Sequence, residues 1–191
     1  MYKSNQQRAN LKSQFKNYGE YLDSLEMKAQ IKPFEPLYFE RISQLTNKSN
    51  QFNLTTLRLT ENEIEKISNN KRYLTFYGKL TDKFGDNGIV SLVIGEILDD
   101  VLHIRLWLMS CRVLKRDFEL AMLDRLIETA ITMKLSCIIG YYFRTEKNRM
   151  VSEFYGTHGF KKILEDDKGN TVWKYEINTP YQKSNQHICV E

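Results

Sequence analysis

LHIRLWLMSCRVLKRDFELAMLDRLIETA, residues 102–130, changes its hydrophobic period part way along, and that change decides the fold class. In the first eight residues Leu102, Ile104, Leu106 and Leu108 alternate with His103, Arg105, Trp107 and Met109, the period-two pattern of a half-buried strand. SCRVLKR (110–116) breaks the alternation. From Asp117 onward Leu120, Leu123, Ile127, Ala130 and Ile131 recur at three- and four-residue intervals, which is one face of a helix. The helix N-terminus leaves backbone N–H groups without intrahelical partners, and Arg112, Lys115 and Arg116 stand just before it. A phosphate-bearing ligand and a plain connection with solvated charges are both open readings of this basic corner.

Outward from this unit, SCIIGYYF (136–143) reads as a buried strand. With a helix between them, it and strand 102–109 form a βαβ unit and are expected to be parallel. Ahead lie YLTFYGKL (73–80) and GIVSLVIGEI (88–97), whose short connections, FGDNG and LDD, predict an antiparallel meander. Behind lie a short helix over 148–158, stopped by Gly159, and a hairpin of FKKILED and TVWKYEI joined through DKGN. Nearer the N-terminus, Pro33 and Pro36 precede a short helix through Leu37, Phe39, Ile42 and Leu45, and Thr60 with Glu63 spells the capping box of another. Leu11, Phe15, Tyr18, Leu22 and Leu25 draw a stripe along one helix, 11–27, that docks either on this domain or on a partner. The organisation expected is a frayed 1–10, one folded domain over 11–177 and a polar tail over 178–191.

A chain of 191 residues that is 41% hydrophobic and 27% charged suits one globular domain. Lys plus Arg number 28 against 24 Asp plus Glu, a net of +4 spread along the chain. That gives a mild preference for anions, and without a basic stripe interleaved with aromatics no nucleic-acid partner is expected. Cys111, Cys137 and Cys189 are an odd number with no CxxC spacing, and His103, His158 and His187 are scattered, so neither a disulfide framework nor a metal site is expected. MYKSNQQRAN has no apolar signal-peptide core and no apolar run reaches membrane-spanning length, so a cytoplasmic protein without membrane contact is expected. NKSNQFNLTT (47–56) sets amides and hydroxyls around Phe52 and Leu54. They serve either as turns and caps or, through Asn50, Gln51 and Asn53, as groups facing a substrate.

The order of these elements resembles the GNAT acyltransferase fold: an α/β mixed sheet with an antiparallel N-terminal meander, a central βαβ unit and a C-terminal hairpin, flanked by helices. Asn148, Phe154-Tyr155 and Gly159-Phe160 are similar to that family's N…FY…GF ending, and Arg116-Asp117-Phe118-Glu119-Leu120-Ala121 stands in the place of its pyrophosphate motif Q/R-x-x-G-x-G/A. More specifically, NKSNQFNLTT, FGDNGIV (84–90) and LMSCRVLKR (108–116) resemble the C-terminal region of FkbH-like proteins over about residues 20–177. Those proteins are associated with making methoxymalonyl or glyceryl units on acyl carrier proteins.

The resemblance implies an acyltransferase that takes the phosphopantetheine of acyl-coenzyme A or of an acyl carrier protein as cosubstrate, with no covalently bound cofactor. The arm would enter where strands 102–109 and 136–143 diverge, along Met109, Cys111, Arg112, Val113, Lys115, Arg116, Phe118, Ala121 and Asn148. Tyr155 takes the role of the tyrosine that protonates the leaving thiolate, or is a core aromatic. Cys111, beside Arg112 and a helix N-terminus, either accepts an acyl chain as thiolate or is simply packed. Glu119 stands where the family has glycine, and with Asp117 it places carboxylates where phosphate would bind. The alternative function is therefore a non-catalytic carrier-protein-binding module with a degenerate coenzyme A site. An acyl carrier protein is the partner implied, or else a HAD-type domain or protein, which FkbH-like proteins usually carry ahead of this region.

Overall fold

The computed structural model describes residues 2–191 and, of residues 2–5 and 9, the backbone alone. Met1, the first residue of the stretch expected to fray, lies outside the described residues. The expected meander is present as β3 (Tyr73–Asp82), β4 (Gly85–Leu98) and β5 (Val101–Met109), all antiparallel. The helix α5 (Phe118–Thr132) then crosses to β6 (Cys137–Tyr142), which pairs parallel with β5. A hairpin, β7 (Lys161–Glu165) and β8 (Thr171–Glu176), closes that side after the short helix α6 (Phe154–Thr157). The sheet is mixed and flanked by helices, as the resemblance implies.

Two clusters of buried side chains pack the sheet's opposite faces. Leu22 and Leu25, Phe118 and Leu126 of α5 and Tyr155 of α6 belong to one. Ile42 and Leu45 of α3 (Phe39–Lys48) and Ile64 of α4 (Glu61–Ser68) belong to the other. Thr60 closes the expected capping box at α4, each of its backbone and side-chain groups bonded to Glu63.

Strand β5 corrects its own reading. Leu102 and Ile104 pack in the first cluster but Leu106 and Leu108 in the second, and Trp107 and Met109 return to the first. The cause is a β-bulge: Gly95 faces Ile104 and Ile94 faces Leu106, leaving Arg105 as the extra residue that inverts the alternation. The bulge also bends the strand, and its pairing with β6 ends at Ile104 with Gly140.

The N-terminal stripe is not one helix over 11–27. Tyr2–Lys12 forms α1, Asn17 caps a second helix, α2 (Tyr18–Ser24), through the Gly19 amide, and Met27–Lys32 is strand β1, antiparallel to β3. Gly19 and the Asn17 cap break the helical phase, and Met27, Ala29 and Ile31 continue the burial at period two. The stripe does pack on this chain, because Tyr21, Leu22 and Leu25 join the core with Leu11 and Phe15 against it. The polar end is likewise not a loose tail: Ile188–Val190 forms β9 alongside β1, and the buried Asp124 of α5 accepts from Tyr181 Oη and from the Ser184 and Asn185 amides.

Candidate functional site

Beyond Ile104 the strands β5 and β6 diverge, and the chain fills the gap with its own segment 52–55. Phe52–Asn53 is strand β2, antiparallel to Met109 and Leu108 on the edge of β5 that faces β6. The Leu54 amide donates to Trp107 O at 3.0 Å, and Leu54 O accepts from the Phe143 amide at 2.8 Å, so one residue bridges the two strands. Thr55 Oγ1 donates to the carbonyl of the bulged Arg105 at 2.7 Å. Phe52 lies edge-on to Phe154, as does Trp107. Segment 52–55 is buried throughout, so the space between the strands, where the arm of a coenzyme was expected to enter, is occupied by backbone that satisfies both edges.

Asn148 completes that closure. Its Nδ2 donates to Asn53 O and Phe143 O, both at 2.9 Å, while Oδ1 accepts from the Thr145 amide and Tyr142 Oη. An asparagine amide has two donors and two acceptor positions, and all four are used inside the protein. Tyr155 is fully buried, its ring against Gly140, where an added Cβ would meet it at 2.5 Å. Among the described residues its hydroxyl makes no well-formed hydrogen bond, and burial pushes the phenol far up, opposed only in part by the Tyr141 backbone. Tyr155 packs here as a core aromatic, out of reach of solvent. Asn53 is likewise not substrate-facing: it is buried, with Nδ2 donating to Ser49 O and Oδ1 accepting from the Thr56 amide. Val113, Phe118 and Ala121 are core residues.

The basic corner is committed to the fold as well. Arg116 is buried, donating to Asp82 Oδ2 at 2.9 Å and to Arg112 O at 2.8 Å. Arg8 of α1 reaches the same carboxylate through Nε and a terminal nitrogen at 2.9 and 2.8 Å. Burial alone would raise the Asp82 carboxyl, but hydrogen bonds from Arg8 and the Phe84 amide, with the charges of Arg8 and Arg116, outweigh it and hold it below its ordinary value. Tyr18 Oη donates to Lys115 O, laying α2 over the corner. Lys115 and Asp117 both take left-handed conformations, at φ 64° and 58°. Glu119, where a glycine would let phosphate approach, has a buried Oε2 without a partner among the described residues. Burial, with Asp117 nearby, pushes its carboxyl up, while its own backbone N–H pulls the other way. A pyrophosphate at the start of α5 would meet this carboxylate first.

What remains open is a cleft of about 730 Å³ beside the filled gap. Its walls are the C-terminal end of α3, the segment Ser49–Phe52, the turn Ser110–Arg112 that follows β5, and Glu146 with Lys147 beyond β6. Arg41, Lys48, Arg112 and Lys147 supply four cations against the single carboxylate of Glu146. Burial and the neighbouring Arg112 both push Arg41 below its ordinary value, and Arg41 has no carboxylate partner among the described residues. Two like charges held together in this way favour an anion between them. Cys111 is exposed, not packed, and it lies both in this cleft and in a smaller hollow of about 300 Å³ that it shares with Lys115 and Arg116.

Of the residues singled out from the sequence, Asn50, Gln51, Met109, Cys111 and Arg112 meet at this cleft. Lys115 and Arg116 lie in the hollow, and Tyr155, Asn148 and Asn53 lie in the core. Arg41, Lys48 and Lys147 escaped sequence reading because each is a single charge in a helix or loop, brought to the cleft from segments about a hundred residues apart. No family model matches the chain, and no curated protein matches it. Solved structures do. The ribosomal-protein-S18-alanine N-acetyltransferase from Escherichia coli is similar at a TM-score of 0.59 and 12% identity, over 83% of this chain and 99% of that one. Ard1 from Thermoplasma volcanium is similar at 0.60 and 15%, over 78% and 98%. The PaiA N-acetyltransferase from Thermoplasma acidophilum, solved in complex with coenzyme A, is similar at 0.55 and 14%, over 78% and 99%. The fold is that of the GNAT acetyltransferases.

Proposed function

We propose that this GNAT-fold chain is a binding domain for a phosphopantetheine-bearing partner, foremost an acyl carrier protein, docked at the cationic cleft, and that it does not thread coenzyme A between β5 and β6. The observation that carries this reading is Leu54, hydrogen-bonded to both strands across the divergence. A pantetheine arm entering there would have to expel a buried segment, leave the carbonyl of Trp107 and the amide of Phe143 without partners, and take from Asn148 Nδ2 one of its two acceptors. The cations at the cleft complement an anionic partner surface or a phosphodiester. Two of the three segments that resemble FkbH-like proteins, NKSNQFNLTT and LMSCRVLKR, contribute to the cleft wall, which supports an origin in carrier-protein biosynthesis for the same surface.

Titration calorimetry separates the alternatives. Acetyl-coenzyme A is expected to engage the cleft through its phosphates alone, without acyl transfer, and a phosphopantetheinylated acyl carrier protein to bind in the micromolar range. Micromolar acetyl-coenzyme A binding with transfer of its acyl group overturns the proposal. One observation favours a second reading, acyl transfer onto the protein itself: the thiol of Cys111 is exposed within the cleft. Peptide mass spectrometry after incubation with an acyl-loaded carrier decides it. An acyl group on Cys111 replaces the binding-only reading.

A further inference from the structure

We infer that the cleft is a donor-rich anion site, and that Arg58, which lies outside its wall, contributes to this by fixing the orientation of Asn50. This rests on the cleft being the binding surface proposed above, and it adds the chemical class of group the cleft takes.

Asn50 stands at the cleft wall, just past the C-terminus of α3. Arg58 donates one terminal nitrogen to Asn50 Oδ1. A guanidinium carries donors and no acceptor, so the oxygen of the Asn50 amide must face it. The other end, Nδ2, has no partner among the described residues and holds two N–H donors. Arg58 thus turns an ambidextrous amide into a donor.

Arg58 also answers the main electrostatic objection to an anion at this place. The C-terminus of α3 contributes Lys48 and Ser49 to the cleft, and the final carbonyls of a helix carry partial negative charge. The other terminal nitrogen of Arg58 donates to Thr46 O at 2.9 Å and to Asn47 O at 2.5 Å, covering two of those carbonyls with a positive charge. On the opposite wall Arg112 Nε donates to Ser110 Oγ at 3.2 Å. Arg41, Lys48, Lys147 and the Asn50 amide then present donors beside the charge of Arg112, with Glu146 the one carboxylate among the described lining residues. Such a wall selects a group that offers acceptors only, a phosphate or a carboxylate, and disfavours neutral alcohols and amines.

The Asn50 side-chain amide reports on this directly. In nitrogen-15 spectra its pair of signals is identified by their loss in Asn50→Ala. Titration of the full chain with inorganic pyrophosphate is expected to move them, and titration with succinate tells whether a carboxylate serves as well as a phosphate. Asn50→Asp keeps the bond to Arg58, with unchanged or higher melting temperature, but puts a carboxylate oxygen where the donor was. It is expected to weaken pyrophosphate binding by about tenfold or more, the size of one charge-assisted hydrogen bond. Arg58→Met is expected to weaken it too, and Arg58→Lys to restore part of the loss. Unmoved Asn50 signals, equal affinity in Asn50→Asp, or no binding of either anion overturns the inference. Pyrophosphate binding through Asn50 without binding of phosphopantetheine leaves the anion site standing and removes the carrier reading. Equal binding of phosphopantetheine and pantetheine with unmoved Asn50 signals does the reverse.

Discussion

Single residues show how far chemical identity falls short of role. Asn148 and Tyr155 were legible as the polar members of a family ending, yet every valence of the first is used by neighbouring backbone and side chains and the second is buried without a well-formed hydrogen bond among the described residues. For Asn148 the role depends on what fills the adjacent space, and that is segment 52–55, about a hundred residues away in sequence, whereas Tyr155 is packed on Gly140 and Phe160. A buried hydroxyl with no hydrogen bond costs its desolvation and returns nothing. Tyr155→Phe is therefore expected to leave carrier binding unchanged and to keep or raise stability, by up to about 1 kcal/mol, measured by thermal melting and calorimetry. Loss of binding in a folded variant would return Tyr155 to the site. Asn50 shows the converse. Its type left it open between a turn residue and a group facing a substrate, but which end of the amide faces outward follows only from the position of Arg58.

At the scale of elements, two short features decide what the fold can do. The bulge at Arg105 opens β5 from β6, and β2, only two residues long, closes the opening. Neither has a period to read: a bulge adds one residue to an otherwise regular alternation, and two residues cannot display one. Helix α1 is a third case, because its sequence is polar and among its described side chains Arg8 anchors it on the buried Asp82 carboxylate. Arg8→Met removes the charge-assisted hydrogen bonds to Asp82 and is expected to cost about 2 kcal/mol, or roughly 4–8 °C in melting temperature for a chain of this size. The sign of the pH effect follows from Asp82. Because its folded pKa lies below the ordinary value, it contributes stability that is present above the unfolded pKa and lost as pH falls through the folded one. Without Arg8 the burial that raises the carboxyl is less opposed, so acid unfolding, followed by circular dichroism, is expected to begin at higher pH. An unchanged acid midpoint would mean that Arg116 alone holds Asp82.

Across the whole molecule, the chain's two ends meet on one edge of the sheet: β1 comes from the N-terminal part and β9 from the last residues. Asp124, from the middle of the sequence, ties the approach to β9 through three hydrogen bonds. Asp124→Ala is expected to speed amide exchange over residues 184–190 by at least about tenfold, as a locally opened segment exchanges from a lower free energy, while β4 and β5 keep their protection. Unchanged exchange at 184–190 would show that the β1 pairing alone holds the end. The sequence by itself determined the meander, the parallel βαβ unit and the closing hairpin, because each is written in local periodicity and in the lengths of connections. Tertiary structure alone decided that the gap between β5 and β6 is filled, that Arg116 is spent on Asp82, and that Arg41 shares a cleft with Arg112. Those are relations between segments distant in the chain, set by which carbonyls, amides and charges find one another once the sheet is packed, and no local pattern encodes them.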